Sequence, residues 1–456
     1  MAHDLEYSTS SFLRIATLEA RRGHDDPGQL FTSVNETIND LRDLHKERRK
    51  ATGLASNRAD ARAVYNSYRT RIGDLQKVKR ECLENELRLV GVEFSQAMKA
   101  KEFTWGLSPG PQKKNRNTYQ TAGTAIQYFP MKQLESSLRK DFKIVAPNRN
   151  RMIAQLRDAI AGKMPRSVLR SDISSFFESV PHVGLMEVLK GEGRLSRTSI
   201  YLIEQLLTEW RTLTGRDCGI PTGVGLSAYL AEVYARQVDQ SILRDPRIHF
   251  YGRYVDDIVV VLRSRHDLDD MVTILDKRLA DLGLSKNDNK TQRVEAKDDN
   301  NFDLKDTFDF LGYSFSKNTH EGEVRIEMND QSKARYKHRL TCSFNRWAAA
   351  ANRAGGNEGL LLNRIRFLAG NTKLVNSKGR ALTGIYFNYP HLSVDSNSLR
   401  ELDNHLEGEI VRVQSFLTEN LKNRLDQISF SDGFKYRIFN RFSQNELTRL
   451  VAVWRD

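Results

Sequence analysis

The 456-residue sequence contains only three cysteines, Cys82, Cys218 and Cys342, and no CxxC pair. That scarcity excludes a disulfide framework and a cysteine-rich zinc module, and it fits a reducing compartment. No run of about 18 apolar residues occurs, so no segment is expected to span a bilayer. The opening Met1-Ala2-His3-Asp4-Leu5-Glu6 lacks the basic-then-apolar layout of a secretory signal, and a cytoplasmic protein is expected. Internal repeats and low-complexity tracts are missing too.

What is present is a globular composition, 39% hydrophobic and 28% charged. Apolar runs such as Ile258-Val259-Val260-Val261-Leu262 exclude disorder throughout. At about 150 residues per domain the length predicts about three domains or subdomains. Lys and Arg number 71 against 58 Asp and Glu, a formal charge of +13. Such an excess points to a polyanion, because cations that neutralise phosphates release condensed counterions. Charge by itself decides little, since many basic proteins bind nothing anionic.

Residues 29–102 read as helical, with Leu41, Leu44, Leu75, Val78, Leu83, Leu87 and Val90 recurring at helical spacings between charges. Pro109-Gly110-Pro111 breaks the pattern, and Lys113-Lys114-Asn115-Arg116 reads as an exposed basic loop. From about 121 to 316, short strand-like runs (Ile126-Gln127-Tyr128-Phe129, Val168-Leu169, Ile258 to Leu262) alternate with helical segments, the texture of an α+β or α/β domain. Helical periodicity returns at 333–353 and 397–428. Between them, Asn371 to Asn388 reads as a strand or loop excursion with Ile385-Tyr386-Phe387 as its apolar run.

Two segments carry chemistry. In Tyr254-Val255-Asp256-Asp257-Ile258 the adjacent aspartates are flanked by apolar runs, which predicts a β-hairpin with the acids at its tip. Carboxylates beside a buried strand are costly unless solvated, paired or bound to metal, although Asp-Asp is also a good plain turn. In Ser167-Val168-Leu169-Arg170-Ser171-Asp172 an apolar run ends on an aspartate before a predicted helix, which Asp172 could equally cap. A strand-end Asp172 and a hairpin Asp256-Asp257 can meet in one sheet. Converging carboxylates are what a pair of Mg²⁺ ions needs for in-line phosphoryl transfer.

Asp172 with Phe177, then Gly219-Ile220-Pro221-Thr222-Gly223-Val224-Gly225-Leu226-Ser227, then Tyr254-Val255-Asp256-Asp257 resemble reverse transcriptase palm motifs A, B and C, in order. Gly283-Leu284-Ser285-Lys286-Asn287-Asp288-Asn289-Lys290-Thr291 resembles motif D, and Phe310-Leu311-Gly312-Tyr313 the primer-grip motif E. The resemblance covers roughly 126–316. It implies an α+β right-hand polymerase with a helical N-terminal extension (1–120), fingers and palm (121–316) and a mainly helical thumb or C-terminal region (317–456).

It further implies Asp172, Asp256 and Asp257 as catalytic carboxylates, joined by Ile173 in the set that holds two Mg²⁺ ions, for which Mn²⁺ can substitute. The nucleotide-binding residues would be Lys132, Arg139, Phe177, Thr222, Gly223 and Lys290, and the primer grip Leu311, Gly312 and Tyr313. Phe177 would be the steric gate that fills the place of a ribose 2′-hydroxyl; from periodicity alone it reads as a core aromatic. Lys132 and Arg139 would hold the triphosphate through charge-assisted contacts, with Arg149 and Arg151 as nearby substitutes. Two departures stand out. Thr222 replaces the glutamine common in motif B, and Ser227-Ala228 replaces a common Ser-Pro, which bears on fidelity and template preference rather than on metal chemistry.

Residues 317–456 show no Cys/His cluster of an appended nuclease and no clear RNase H acidic set. Arg335, Lys337, Arg339 and Arg346 read as a thumb surface for duplex backbone, or as a solvated face. The long helical N-terminus with the Gly-Ile-Pro-Thr-Gly and Arg-Tyr-Val-Asp-Asp motifs resembles the bacterial defence-associated ("unknown group") reverse transcriptases. Residues Arg364 to Leu374 and Gly384-Ile385-Tyr386-Phe387 resemble the smaller polymerase of the type 3 systems. That resemblance implies a non-coding RNA template, deoxynucleoside triphosphates as substrates, simple-repeat DNA as product and a second reverse transcriptase subunit as partner. Retron reverse transcriptases and a non-catalytic RNA-binding scaffold are the alternatives. An RNA-dependent RNA polymerase is disfavoured, because Phe177 would clash with a 2′-hydroxyl.

Overall fold

The computed structural model describes residues 5–22, 30–113, 116–298, 302–317, 323–354, 357–374 and 381–454. The chain divides into two compact units: Met1–Val145 with Ser175–Arg236, and Ala146–Ser174 with Gln237–Asp456.

The first unit begins with helices α1 (Thr9–Arg22), α2 (Thr32–Gly53) and α3 (Arg58–Ala100). The single helical stretch expected over 29–102 is therefore two helices. The break falls at Leu54–Asn57, where the Asn57 side chain accepts the N–H groups of Ala59 and Asp60 and starts α3. Pro109 and Pro111, expected in a loop, lie in β1 (Ser108–Lys113), which pairs antiparallel with β2 (Arg116–Gln120). A two-stranded ribbon leaves each strand with an unpaired edge, where proline's missing N–H costs least. Of the expected basic loop, Lys114 and Asn115 lie outside the described residues.

Ile126–Phe129, expected as a strand, opens helix α4 (Ala125–Asp141) instead. Phe129 packs on Phe12 of α1 at 5.8 Å and on Phe31 at 6.1 Å, and Met131, Leu134 and Leu138 follow it buried at helical spacing. Tertiary packing thus overrides a short apolar run whose period is ambiguous. Phe12 also meets Phe94 of α3, and Phe94 leads through Phe103 to Trp105, at 5.4 and 4.9 Å. The unit is completed by α6 (Phe176–Ser179), α7 (His182–Gly191), α8 (Arg197–Thr214) and the first part of α9 (Gly225–Leu243).

The second unit is built on an antiparallel sheet of β3 (Ser167–Asp172), β4 (Ile248–Tyr254), β5 (Asp257–Leu262) and β6 (Gln292–Val294), in the order β4-β5-β3-β6. Helix α5 (Arg149–Ile160) packs on β4 and β5, and α10 (Leu268–Ala280) on β3. Ile258 to Leu262 are all fully buried. Successive strand side chains point to opposite faces, so both faces of β5 are covered and its sequence is continuously apolar.

A second sheet, β7 (Phe308–Phe310), β8 (Tyr313–Ser316) and β9 (Arg325–Met328), is followed by α11 (Asp330–Ala354) and α12 (Glu358–Ala369). The expected excursion at 371–388 is a ribbon of β10 (Asn371–Lys373) and β11 (Leu382–Gly384). Its apolar run, however, is the short helix α13 (Ile385–Asn388) rather than a strand. The stretch 397–428 is two helices, α14 (Asn397–Val413) and α15 (Glu419–Asp426), because Thr418 caps a new start by accepting the Leu421 N–H. Helices α16 (Phe430–Lys435) and α17 (Gln444–Val451) close the unit. Its apolar core is continuous from Ile153 and Val168 through Phe308 and Phe344 to Leu402 and Phe430. Among the described residues no helix is long and apolar enough to cross a membrane.

Candidate active site

Strand register brings the acids together. Asp172, the last residue of β3, lies opposite Asp257, the first of β5, and Asp257 also pairs with Tyr254 across the hairpin. Carboxylate oxygens of Asp172, Asp256 and Asp257 all fall within 4.8 Å of one another. The chain after Asp172 is held on both sides. The Ile173 N–H donates to the Asp256 carbonyl at 3.0 Å, and the Asn287 N–H donates to the Asp172 carbonyl at 2.7 Å. Asp172 therefore caps no helix; the short α6 begins at Ser175, which makes no side-chain cap bond.

Two cations lean on the acids. Lys290 Nζ lies 2.9 Å from Asp172 Oδ2, with its side chain half-exposed, and Arg170 Nη2 lies 2.5 Å from Asp257 Oδ1 in a mostly buried pair. Burial pushes the Asp257 carboxyl above the usual range. The Arg170 charge opposes that shift, and Asp256 and Asp172 add to it.

The turn that carries Asp256 is strained. Val255 has φ +62°, a left-handed conformation that costs an L-residue roughly 1–2 kcal/mol. The Val255 carbonyl accepts Arg253 Nη1 at 2.9 Å. Arg253, buried within β4, is in turn held bidentately by Asp239 of α9, with Nε and Nη2 each at 2.8 Å. Tyr251 donates its hydroxyl to the same carboxylate at 2.6 Å. Sequence reasoning missed Arg170, Arg253 and Asp239. Arg170 was legible in principle, since the period of two puts it on the Asp172 face of β3. Asp239 was not, because only the fold brings α9 to the hairpin.

The motif B residues form their own constellation in the first unit. The Ile220 N–H donates to the Phe177 carbonyl and the Tyr119 N–H to the Thr222 carbonyl, each at 2.7 Å. Phe176 is the buried aromatic of α6, whereas Phe177 is part-exposed. Gly223 has φ +103°, and a Cβ there would lie 2.8 Å from the Tyr119 carbonyl oxygen. Gly223→Ala is therefore expected to lower the melting temperature by several degrees through loss of the Thr222–β2 contact, measured by thermal unfolding.

Lys132 and Arg139 lie two turns apart on α4 and so on one face of it. Lys132 is largely buried and paired with Glu135 at 3.2 Å, while Arg139 is exposed.

At motif E, Leu311 and Gly312 have φ +49° and +84° in a two-residue hairpin between Phe310 and Tyr313, the backbone of a type I′ turn. Arg149 clamps this turn. Its Nε and Nη2 donate to the Leu311 carbonyl at 3.0 and 2.7 Å, and its Nη1 donates to the Asn388 carbonyl. Its guanidinium also stacks over Tyr313 and Tyr389, at 4.7 and 5.2 Å. So committed, Arg149 is no substitute triphosphate ligand; Arg151 stays exposed on α5. Tyr313, expected in the primer grip, is fully buried and forms the floor beneath Arg149. A groove of about 790 Å³ runs from Tyr254 and Gly312 to Arg335, Arg339 and Phe387. Lys337, expected in the same basic cluster, turns away to pair with Glu401 at 3.3 Å.

Residues 112–315 match the family model for reverse transcriptase (RNA-dependent DNA polymerase). No curated protein sequence matches the chain. Among solved structures it is similar to apo telomerase from Candida tropicalis at 11% identity, covering 100% of this chain and 89% of that one, with a TM-score of 0.37. It is also similar to telomerase from Candida albicans in complex with a TWJ fragment of telomeric RNA, at 12% identity over 88% and 76% of the two chains, with a TM-score of 0.36. The family match, over less than half of the chain, shows similarity to a reverse transcriptase domain, with which the α+β fold agrees. That similarity spans residues 112–315.

Proposed function

We propose that this chain is an RNA-directed DNA polymerase that extends a primer by two-metal nucleotidyl transfer. Its template in this reading is a dedicated non-coding RNA, its product simple-repeat DNA, and its setting bacterial antiviral defence in the cytoplasm beside a second reverse transcriptase subunit. The observation that carries the catalytic reading is the convergence of Asp172, Asp256 and Asp257 at the end of β3 and the β4–β5 turn. Hard oxygen donors at one point suit Mg²⁺, and burial, with the Asp256 and Asp172 charges adding to it, raises the Asp257 carboxyl, a cost that a bound cation would relieve.

When bound, two divalent ions supply Lewis-acid stabilisation of the attacking and leaving oxygens. The chain's own residues do the rest. Ile173 completes the metal set, and Arg170 orients Asp257. Lys290, poised on Asp172, serves the incoming nucleotide together with Lys132, Arg139, Thr222 and Gly223. Leu311 and Gly312 present the primer-grip backbone, held by Arg149, and the groove lined by Arg335 and Arg339 receives the primer strand. In this reading residues 1–120 are an extension, 121–316 fingers and palm, and 317–456 the thumb. The defence setting rests on the long helical N-terminus with the motif B and C sequences, and the repeat product and second subunit on the resemblance of residues 364–374 and 384–387.

Phe177 is the sugar gate. Its part-exposure, beside a buried Phe176, supports a ring that faces a ligand rather than the core. Phe177→Ala is expected to admit ribonucleotides, read as dGTP against GTP incorporation on one template. Unchanged discrimination would sink the gate assignment.

A further inference from the structure

At the end of the central sheet away from the aspartates, basic side chains gather with little acid to balance them. Ser167 at the start of β3 and Ile248 at the start of β4 both pair with Leu262 at the end of β5. Register therefore brings Arg166, His249 and Arg263 to one edge. Arg166 is only 9% exposed, yet its Nε is buried without an acceptor, and its guanidinium makes no hydrogen bond or ion pair among the described residues. A buried donor without an acceptor is costly, which makes this position anomalous for a purely structural residue.

Its neighbours do not relieve it. Arg263 is exposed, with its Nε donating to the Pro246 carbonyl at 3.1 Å and no carboxylate partner among the described residues. Lys317 is fully buried close by and donates to the Met164 carbonyl. Burial, then the Arg166 charge, bring the Lys317 ammonium down to about 8, with Asp303 opposing. Asp303 is itself 3.4 Å from Lys297. Burial and the charges of Arg166 and Arg263 also lower His249.

We propose that this edge is a second phosphate site that takes a backbone phosphate of RNA, with Arg166 at its base and Arg263 and His249 at its mouth. A guanidinium fork matches phosphate geometry, and the chain's excess of positive charge favours a polyanion over a neutral ligand. Arg166 lies roughly 20 Å along the chain from Asp172, at about 3.3 Å per residue. RNA held here is thus outside the segment being copied. The inference goes beyond the polymerase reading, although both concern nucleic acid.

The test uses the full chain, a long oligouridylate RNA and a short primer–template hybrid. Arg263→Ala with His249→Ala changes only exposed residues. It should weaken long-RNA binding several-fold and flatten the log–log salt slope by about 0.7–0.9, the value of one phosphate contact. Incorporation on the short hybrid should stay at the wild-type level. Arg166→Met should weaken RNA binding further while leaving the melting temperature of the RNA-free protein unchanged or higher, because it removes a buried donor that has no acceptor. A lowered melting temperature for Arg166→Met would mean a structural role and overturn the proposal. So would unchanged RNA affinity and slope in the double variant, or loss of an acidic protein partner in place of RNA. Absence of incorporation by the wild type would bear on the polymerase reading alone.

Discussion

Replacing both acids of the hairpin turn, Asp256→Asn with Asp257→Asn, is expected to reduce deoxynucleotide incorporation by at least about a thousandfold while leaving the fold intact. The loss follows from the donor set. The three carboxylates converge within 4.8 Å, and two neutral amides leave Asp172 as the only charged ligand. Several kcal/mol of transition-state stabilisation disappear with the metal, at about 1.4 kcal/mol per tenfold in rate. The fold should survive because neither residue fills the core. The burial cost and the repulsion from neighbouring acids that raise Asp257 are relieved, and an amide at 257 still offers Arg170 an acceptor oxygen. A second readout separates metal loss from unfolding: Mg²⁺ should raise the melting temperature of the wild type and not that of the double variant. Near wild-type incorporation by the variant would refute the metal-site assignment.

Asp239→Ala should have the largest effect on stability, about 3–5 kcal/mol, because it removes the carboxylate that holds a buried arginine bidentately. The Arg253 side chain is 3% exposed, and Asp239 holds it through two 2.8 Å hydrogen bonds. Tyr251 would lose its hydrogen bond to Asp239 at the same time. Through Arg253 the damage should reach the Val255 carbonyl and the left-handed residue that sets up Asp256. Incorporation is therefore expected to fall even at temperatures where the variant stays folded. Asp239→Asn keeps an acceptor for Arg253 and should cost markedly less. Urea denaturation of both variants, with incorporation measured well below the transition, checks the ordering. Equal costs for Ala and Asn would mean that the carboxylate does not hold the hairpin.

Much of the site was legible from local pattern. Asp172 at a strand end and Asp256-Asp257 at a hairpin tip are readable because alternation, apolar runs and turn chemistry are properties of neighbouring residues. The positive φ at Leu311-Gly312 belongs to the same kind of local rule, since a two-residue hairpin demands it. Two of the misreadings fall where an apolar run is short. Ile126–Phe129 and Ile385–Phe387 are too brief for periodicity to separate strand from helix. For the first, the aromatic core around Phe12 and Phe31 decided in favour of a helix.

By itself, then, the sequence determined the chemistry on offer: which acids, at which strand ends, with motifs in which order. Only the tertiary structure decided the partners. Arg149 reaches across 162 residues to clamp the Leu311 carbonyl, and Lys290 reaches across 118 to Asp172. In each case a long, flexible cation is committed by hydrogen-bond geometry. That geometry depends on which surfaces the fold brings together, and no spacing along the chain encodes it.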